Sequence, residues 1–435
     1  MSTMRRRSTA VRRAALACCA ALLTAGPAAA VADAAPAHSD LPAALVDALA
    51  RDLKLSPQQY SQRSDDAQRL GEFEATARKT WPKSFAGVWL DQAGRPTVAL
   101  AAGPDKAAAR RAAESAGFTV ADVASSEATL RQEKRNFDIW LATQPTEVSA
   151  NISGSAIDTV HNTVAVRVDR AAGVSLPGGL DALQLITTAR PTAGESVVPS
   201  GSRAAAGARP AVIGGQAYAA VAGNRAVRCS IGFNGFDRSG AIVNITAGHC
   251  DPNIPAAGTA AAPGMFSISG SAVGEPLGSF TKSVLGGQDY SIVRINAANT
   301  ARFANNLVAG PPGQPPIPIT GVAVPVVGMP ACKSGSRTGF SCGTVSSVEQ
   351  SVQVGNHQLN GSFSMNICAL PGDSGGTIVS GTRALGISSA SSVADYPICQ
   401  IPEFIGMLTG DVPQLFAQPL NHVLSANPGL RVRTN

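Results

Sequence analysis

Tryptophan is absent beyond residue 140: Trp81, Trp89 and Trp140 are all three in a chain of 435 residues. Cysteine is absent between Cys19 and Cys229, and no CxxC pair occurs anywhere. That removes the commonest zinc-binding spacing, and only Cys250 has an adjacent histidine, so no metal site is expected. No apolar run free of charge and proline reaches the roughly 20 residues that span a bilayer, and no membrane anchor is expected. A basic stripe is missing too. The net charge of +6 owes five arginines to the first thirteen residues, and from Ile213 onward eleven Lys/Arg face nine Asp/Glu. With the rest near neutrality, nucleic acid is not an expected partner.

What is present begins with a leader. Arg5, Arg6, Arg7, Arg12 and Arg13 precede the short apolar run AALACCAALL and the small residues of PAAAVADAA. This is the pattern of a secretory signal, placed at residues 1–35. Arg12-Arg13 as a twin-arginine signal, and Cys18 or Cys19 as a lipid attachment site, are alternatives without their full sequence context.

The remaining chain has two regions of different character. In the first, SFAGVWLDQAGRPTVALAA alternates on either side of Asp91-Gln92-Ala93-Gly94 and predicts a hairpin. PDKAAARRAAESAG, with Pro104 and Asp105 at its start and Gly117 at its end, predicts a helix. Val164, Val166 and Val168 predict a returning strand, giving a small α+β domain. Then comes TTARPTAGESVVPSGSRAAAGARP, whose composition cannot bury enough apolar surface to stay ordered; it is expected to be a protease-sensitive linker. From Val212 the pattern becomes short apolar stretches between glycine-rich turns: AIVNITA, YSIVRI, TIVS, ALGISS. These predict an all-β sandwich or barrel, split into halves by GPPGQPPIPITGVAVP, with one helix at QPLNHVLSA. Six cysteines remain after the leader, all in this region: Cys229, Cys250, Cys332, Cys342, Cys368 and Cys399. An even count in an exported chain predicts disulfides, though six cysteines allow 15 connectivities.

Chemistry is concentrated in three short stretches. Pro371-Gly372-Asp373-Ser374-Gly375-Gly376 sets a serine among glycines, and a serine hydroxyl needs a base to become a nucleophile. Of the five histidines, His38 and His161 precede the linker, His357 lies in polar GNHQL and His422 on the closing helix. His249, in Thr246-Ala247-Gly248-His249-Cys250 at the end of an apolar strand, is the candidate base. Asp289, opening the strand Tyr290-Ser291-Ile292-Val293-Arg294-Ile295 after two glycines, is the candidate carboxylate that would orient it; a plain turn aspartate is the alternative.

TAGHC, DYSIVRI and PGDSGG, in the order His, Asp, Ser, resemble the chymotrypsin-fold serine proteases, and most nearly the secreted bacterial branch of the streptogrisins and α-lytic protease. VIGGQAY, RCSIGFN, KSGSRTGFSCGTV and FAQPLNHVLS extend the resemblance from about Ile213 to the end. It implies two six-stranded β-barrels with a C-terminal helix, preceded by an α+β pro-domain. His249, Asp289 and Ser374 would be catalytic, the amides of Gly372 and Ser374 would form the oxyanion hole, and Ser389, Ala390 and Ser391 would line the primary pocket. Where close relatives carry Ser-Gly-Gly, Ser391 should narrow that pocket toward small or medium apolar P1 residues. The implied disulfides join Cys229 to Cys250, Cys332 to Cys342 and Cys368 to Cys399. The expected product is a secreted, monomeric serine endopeptidase made as a zymogen, without organic cofactor, acting on proteins or peptides. Its parts would be a pro-region over 36–190, a linker over 191–212 cut near 208–213, and a protease domain over 213–435. The pro-domain would be its partner in folding and inhibition. The segment QIPEFIGMLTGDVPQL has no counterpart in short relatives and is expected either to cover part of the cleft or to be a surface loop.

Two rivals remain at this point. Gly372-Asp373-Ser374-Gly375-Gly376 also fits the nucleophile elbow of α/β-hydrolases, with His422 and Asp395 or Asp411 as partners, but the strand pattern is wrong and TAGHC goes unused. A secreted binding protein that keeps the fold without catalysis is the other.

Overall fold

The computed structural model describes residues 41–169, 184–187, 190–194, 196, 197, 209–269 and 272–435; the leader and most of the linker lie outside them. Among the described residues no helix is long and apolar enough to cross a membrane.

The first region begins with helices α1 (Ala43–Ala48) and α2 (Pro57–Thr80). Ser56 starts α2 with a capping box, its hydroxyl accepting from Gln59 N–H while the Gln59 side chain accepts from Ser56 N–H. Two orphan amides at the helix start are thereby satisfied. Strands β1 (Phe85–Leu90) and β2 (Pro96–Ala101) form the expected hairpin, and β3 (Thr119–Val123) joins β2 in parallel. The expected helix between them is α3 (Lys106–Ser115). Helix α4 (Glu127–Ala142), capped by Ser126, leads into a second hairpin, β4 (Ile152–Asp158) with β5 (Thr163–Val168), and β6 (Gln184–Thr187) pairs with β5.

The second region is built of antiparallel strands. β7 (Ala217–Ala222), β8 (Arg225–Ser230), β9 (Phe233–Phe236), β10 (Ile242–Thr246), β11 (Gly264–Ser269), β12 (Ala272–Gly286) and β13 (Gln288–Ile295) pair in the order β9-β10-β13-β12-β11-β7-β8. Only Ile231 and Gly232 separate β8 from β9, so the two are one bent strand and the ring closes as a six-stranded barrel. Two-residue strands β14 (Leu307–Val308), β15 (Ile317–Pro318) and β16 (Gly321–Val322) occupy the proline-rich crossover. The second barrel comprises β17 (Pro330–Gly335), β18 (Gly339–Val354), β19 (His357–Met365), β20 (Thr377–Ser380), β21 (Arg383–Ser391) and β22 (Leu415–Pro419). Its order β17-β20-β21-β22-β19-β18 is closed by pairing of β17 with β18. Closure removes the edges that an open sheet would expose. β23 (Arg431–Val432) returns to pair with β9 after the closing helix, Leu420–Ser425.

The two regions are joined. β4 adds to the outer end of β18, with Ser155 opposite Ser351 and Gly154 opposite Val352. On the far side α1, the turn Leu49–Leu53 that follows it and α2 bury Leu45, Ala48, Leu49 and Tyr60 in one core with Phe340, Val379 and Ala384. Tyr60 Oη accepts from Gly381 N–H at 2.6 Å, and Asp52 accepts from Cys342 N–H at 2.8 Å.

Two expectations are corrected here. QIPEFIGMLT is not a loop: it is a helix over Gln400–Thr409, ended by Gly410 at φ +77°. Pro402 and Gly406 face inward while Phe404 and Met407, 58% and 77% exposed, face solvent. The linker is not wholly without order. Thr192 pairs with Ser391 and Val197 with Val227, because strand edges supply backbone partners that a glycine- and alanine-rich segment can take without burying much apolar surface.

Candidate active site

The three sequence-predicted residues come from both barrels and lie at their junction. His249 sits in a short 3-10 turn, Gly248–Cys250, just after β10. A Cβ on Gly248 would lie 1.9 Å from the carbonyl oxygen of Val284, so only glycine lets the turn pack this closely on β12. Asp289 is the second residue of β13, directly beneath it, and 1% exposed.

Asp289 holds the histidine by two hydrogen bonds. Oδ1 accepts the His249 backbone N–H at 2.9 Å, and Oδ2 lies 2.8 Å from Nδ1. The Ser389 hydroxyl donates to the same Oδ2, and Asp289 N–H donates to Gln418 Oε1 at 3.0 Å. Burial pushes the Asp289 carboxyl up, but the attraction of His249 and the hydrogen bonds from His249 and Ser389 hold it below its ordinary value. The carboxylate stays ionised, which fixes the imidazole with Nε2 facing away from it.

Ser374 lies in a tight turn between β19 and β20, 5% exposed. Gly372 has φ +107° and Gly375 φ +81°, and a Cβ on Gly375 would meet Thr246 Oγ1 at 2.0 Å. The turn is pinned from both sides. The Gly372 carbonyl accepts from the hydroxyls of Ser230 at 2.7 Å and Ser336 at 3.0 Å, and Asp373 N–H of the same peptide donates to Leu370 O at 2.9 Å. Ser374 O accepts from Ser230 N–H, and Gly375 N–H donates to Ser388 O, both at 2.8 Å. The neighbour of Ser230 is Cys229, bonded to Cys250, and the neighbour of Cys250 is His249. One disulfide therefore ties the histidine turn to the strand that holds the serine turn.

The buried Asp373 anchors that turn from beneath. Its Oδ1 accepts from the amides of Arg337 and Thr338 at 2.9 Å, and its Oδ2 from the Thr338 hydroxyl at 2.6 Å and Leu370 N–H at 3.0 Å. Lys333 Nζ stands 3.5 Å away, with both side chains all but inaccessible. Burial opposes ionisation, but Lys333 and these donors keep Asp373 below its ordinary value. The turn is thus braced from beneath.

Other predicted residues behave as follows. Cysteines 332 and 342 face each other across β17 and β18, and Cys368 joins Cys399, so all three disulfides follow the implied neighbour-to-neighbour pattern. Ser389 turns its hydroxyl to Asp289. Ser391 Oγ accepts from Val393 N–H at 3.2 Å, and Ala390 packs on Phe416. His357 is exposed at the start of β19, and His422 is half-buried against Gly361, near Arg131 and Glu349. Sequence reading missed Gln418, Ser230 and Lys333. The first lies in FAQPLNHVLS and the others in RCSIGFN and KSGSRTGFSCGTV, stretches already noted for resemblance.

Two closed antiparallel barrels, with histidine and aspartate from the first and serine from the second, define the chymotrypsin type of hydrolase. No family model matches the chain. It is 35% identical over 182 residues to Serine protease 2 of Streptomyces fradiae, covering 42% of this chain and 95% of that protein. Streptogrisin-C of Streptomyces griseus is 30% identical over 409 residues, 90% of this chain and 79% of that protein. Glutamyl endopeptidase 2 of Streptomyces griseus is 36% identical over 165 residues, 38% of this chain and 79% of that protein. The chain belongs to the bacterial chymotrypsin-fold serine proteases, the family of the streptogrisins. It is a serine endopeptidase, and its substrates are peptide bonds.

Proposed function

We propose that His249, Asp289 and Ser374 are the catalytic triad and that the amides of Gly372 and Ser374 form the oxyanion hole. In this reading His249 takes the Ser374 proton as the hydroxyl adds to a substrate carbonyl, then gives it to the leaving amine; water completes the cycle through an acyl-enzyme. The observation that carries it is the pair of hydrogen bonds from His249 to Asp289, backbone and ring to the two oxygens of one buried carboxylate. An aspartate in a plain turn would have no reason to be buried and doubly committed.

The enzyme is made as a secreted, monomeric zymogen in this reading. Residues 36–190 are the pro-region and 213–435 the mature protease, starting at Val212 or Ile213. The pairing of β4 with β18 and the shared core of α1 and α2 support a pro-region that binds its own protease. Primary specificity is for small or medium apolar residues. The relative named a glutamyl endopeptidase offers acidic P1 as the competing outcome. Against it, the Ser389 hydroxyl is committed as donor to Asp289.

A fluorophosphonate probe tests the triad. Label on Ser374 of a chain starting near Ile213, and none on Ser374→Ala, is the expected result. Mature protein without label would favour a catalytically silent binding protein. A peptide-library digest tests the pocket: cleavage after Glu, Arg or Lys would overturn the apolar preference.

A further inference from the structure

The helix at Gln400–Thr409 turns an apolar side to solvent. Phe404, Met407 and Leu408 are 58%, 77% and 72% exposed, and Ile398 and Ile401 are exposed beside them. Positions 401, 404 and 408 recur at the spacing of one helix face, so these side chains form one patch and are not scattered. The helix is firmly based. Cys399 at its start is bonded to Cys368, both pack with Leu370, Val393 and Tyr396, and Arg337 donates to Pro397 O at 3.3 Å. A contiguous exposed apolar patch on a rigid base is what an interaction site presents.

Chain direction says what reaches it. Thr192 exchanges both backbone hydrogen bonds with Ser391 of β21: its N–H donates to Ser391 O at 3.0 Å, and its carbonyl accepts from Ser391 N–H at 2.9 Å. The edge of β21 therefore accepts an extended peptide. The pairing is antiparallel, so residues after Thr192 run back along β21, and Ala193 and Gly194 line a cavity with His249. Residues before Thr192 run the other way, past the end of the strand. There Ser392 N–H donates to Gln414 O, and Ile186 lines one cavity with Gly410, Val412 and Gln414. Gly410 ends the helix and Val412 is exposed, so the apolar patch begins where that chain passes.

We propose that the helix Gln400–Thr409 is an extended substrate site, which takes apolar residues of a polypeptide substrate well N-terminal to the bond cut, and favours those accompanied by Lys or Arg. The inference rests on the triad and cleft assigned above. A peptide on the edge of β21 has its reacting end toward His249 and its N-terminal end toward the helix. The path of Ile186 reaches the helix end six residues ahead of the one paired with Ser391. Ten residues of helix are about 15 Å long, which about five more residues of extended chain would cover.

Charge decides among occupants. No Lys or Arg occurs between Arg383 and Arg431, whereas Asp395, Glu403 and Asp411 all lie in this segment. Helices that rest on anionic membranes carry Lys and Arg beside their apolar face, and this one carries neither. Two copies of the chain meeting here would set the same acids against one another. A polypeptide with apolar residues and basic neighbours meets no such cost. Phenylalanine and methionine are enriched at interface cores, and the flexible thioether of Met407 adapts to partners of varied sequence.

The test uses the active product of the full-length chain and quenched peptides that share one cleavage sequence. The first peptide stops shortly before the cut, the second adds about eleven N-terminal residues containing Leu, Phe and Lys, and the third carries that extension at its C-terminal end. Expected is a kcat/KM about tenfold higher for the second than for the first, gained through KM, and no gain for the third. In Phe404→Ser/Met407→Ser/Leu408→Ser the ratio of second to first falls to about one; reading a ratio within each protein cancels any general loss of activity. An equal gain from a Gly-Ser extension or from one with Glu in place of Lys, a gain at the C-terminal end, or a gain that survives the triple substitution overturns the proposal while leaving a labelled Ser374 standing. Binding to phosphatidylcholine vesicles, or dimerisation in sedimentation, that the triple substitution abolishes overturns it too, because lipid or a second copy would then cover the patch. Turnover of none of the peptides, with no fluorophosphonate label on Ser374, overturns the triad and the extended site together.

Discussion

The protease barrels and the region before them are held by different forces. From Ile213 on, three disulfides and two closed barrels fix the structure covalently and topologically. The earlier region has no described disulfide. It is held by one short pairing of β4 on β18, by apolar packing of α1 and α2, and by an ion-pair cluster in which Arg78 and Arg131 meet Glu74, Glu127 and Glu349. Of these groups only Glu349 belongs to the protease barrels. The difference teaches that chemistry and attachment are separable: the hydrogen bonds that hold Asp289, Asp373 and the Ser374 turn come from within the second region, including the Lys333 and Asp373 pair beneath the turn. The first region contributes no side chain to the His249, Asp289 and Ser374 cluster.

That separation can be broken most severely at Asp289. Asp289→Asn should lower kcat about 10⁴-fold, the loss expected when the orienting carboxylate no longer fixes the histidine tautomer. Hydrogen exchange over Ile152–Asp158, measured on the chain that stays uncut, should be unchanged. A change there would mean that the site and the attachment are coupled. Next in size is Lys333→Met. It leaves the Asp373 carboxylate buried without its cation, and such a loss costs about 3–5 kcal/mol. Urea unfolding of the mature protease should show it, together with slower labelling of Ser374. The mirror experiment is Gly154→Val. A Cβ at 154 would lie 2.4 Å from Ser351 O, so the added side chain forces β4 off β18 at about 2–3 kcal/mol. Protection of β4 amides should fall, while mature protease keeps its turnover.

How much of this was legible in the sequence depended on whether the information was local. TAGHC, DYSIVRI and PGDSGG each encode a turn and its side chain within six residues, and the structure brings those three residues to one junction. The hairpin at Asp91–Gly94 and the helix between Pro104 and Gly117 were legible for the same reason, through turn and cap residues. Helix α2 was not, because its buried Tyr60, Ala67, Leu70 and Ala77 are sparse among Gln, Arg, Asp and Glu, and the capping box at Ser56 and Gln59 went unread. The helix at Gln400–Thr409 was hidden by its inward Pro402 and outward Phe404, an inverted pattern. Least legible were the pairings of Thr192 with Ser391 and of Gly154 with Val352. These are made by backbone atoms common to all residues, so side-chain patterns carry no trace of the partner.

The smallest expected effect concerns how the attachment responds to pH. Glu74, on α2, is pushed up to about 7: burial is the main cause, Arg78 opposes it, and Glu127 and Glu349 add to it. A carboxyl whose value is raised on folding binds a proton in the folded state that the unfolded chain has already lost. Its favourable contribution is complete below about 4.5 and disappears as pH rises through about 7. Glu74→Gln imitates the protonated form at every pH. In the uncut Ser374→Ala chain, Glu74→Gln should therefore nearly equal its parent at pH 4.5 and be the more stable of the two at pH 8. Thermal unfolding of the two chains across that window reads the difference. A constant gap, or one of opposite sign, would show that the cluster accommodates an ionised Glu74, and that the first region is not loosened by rising pH at this point.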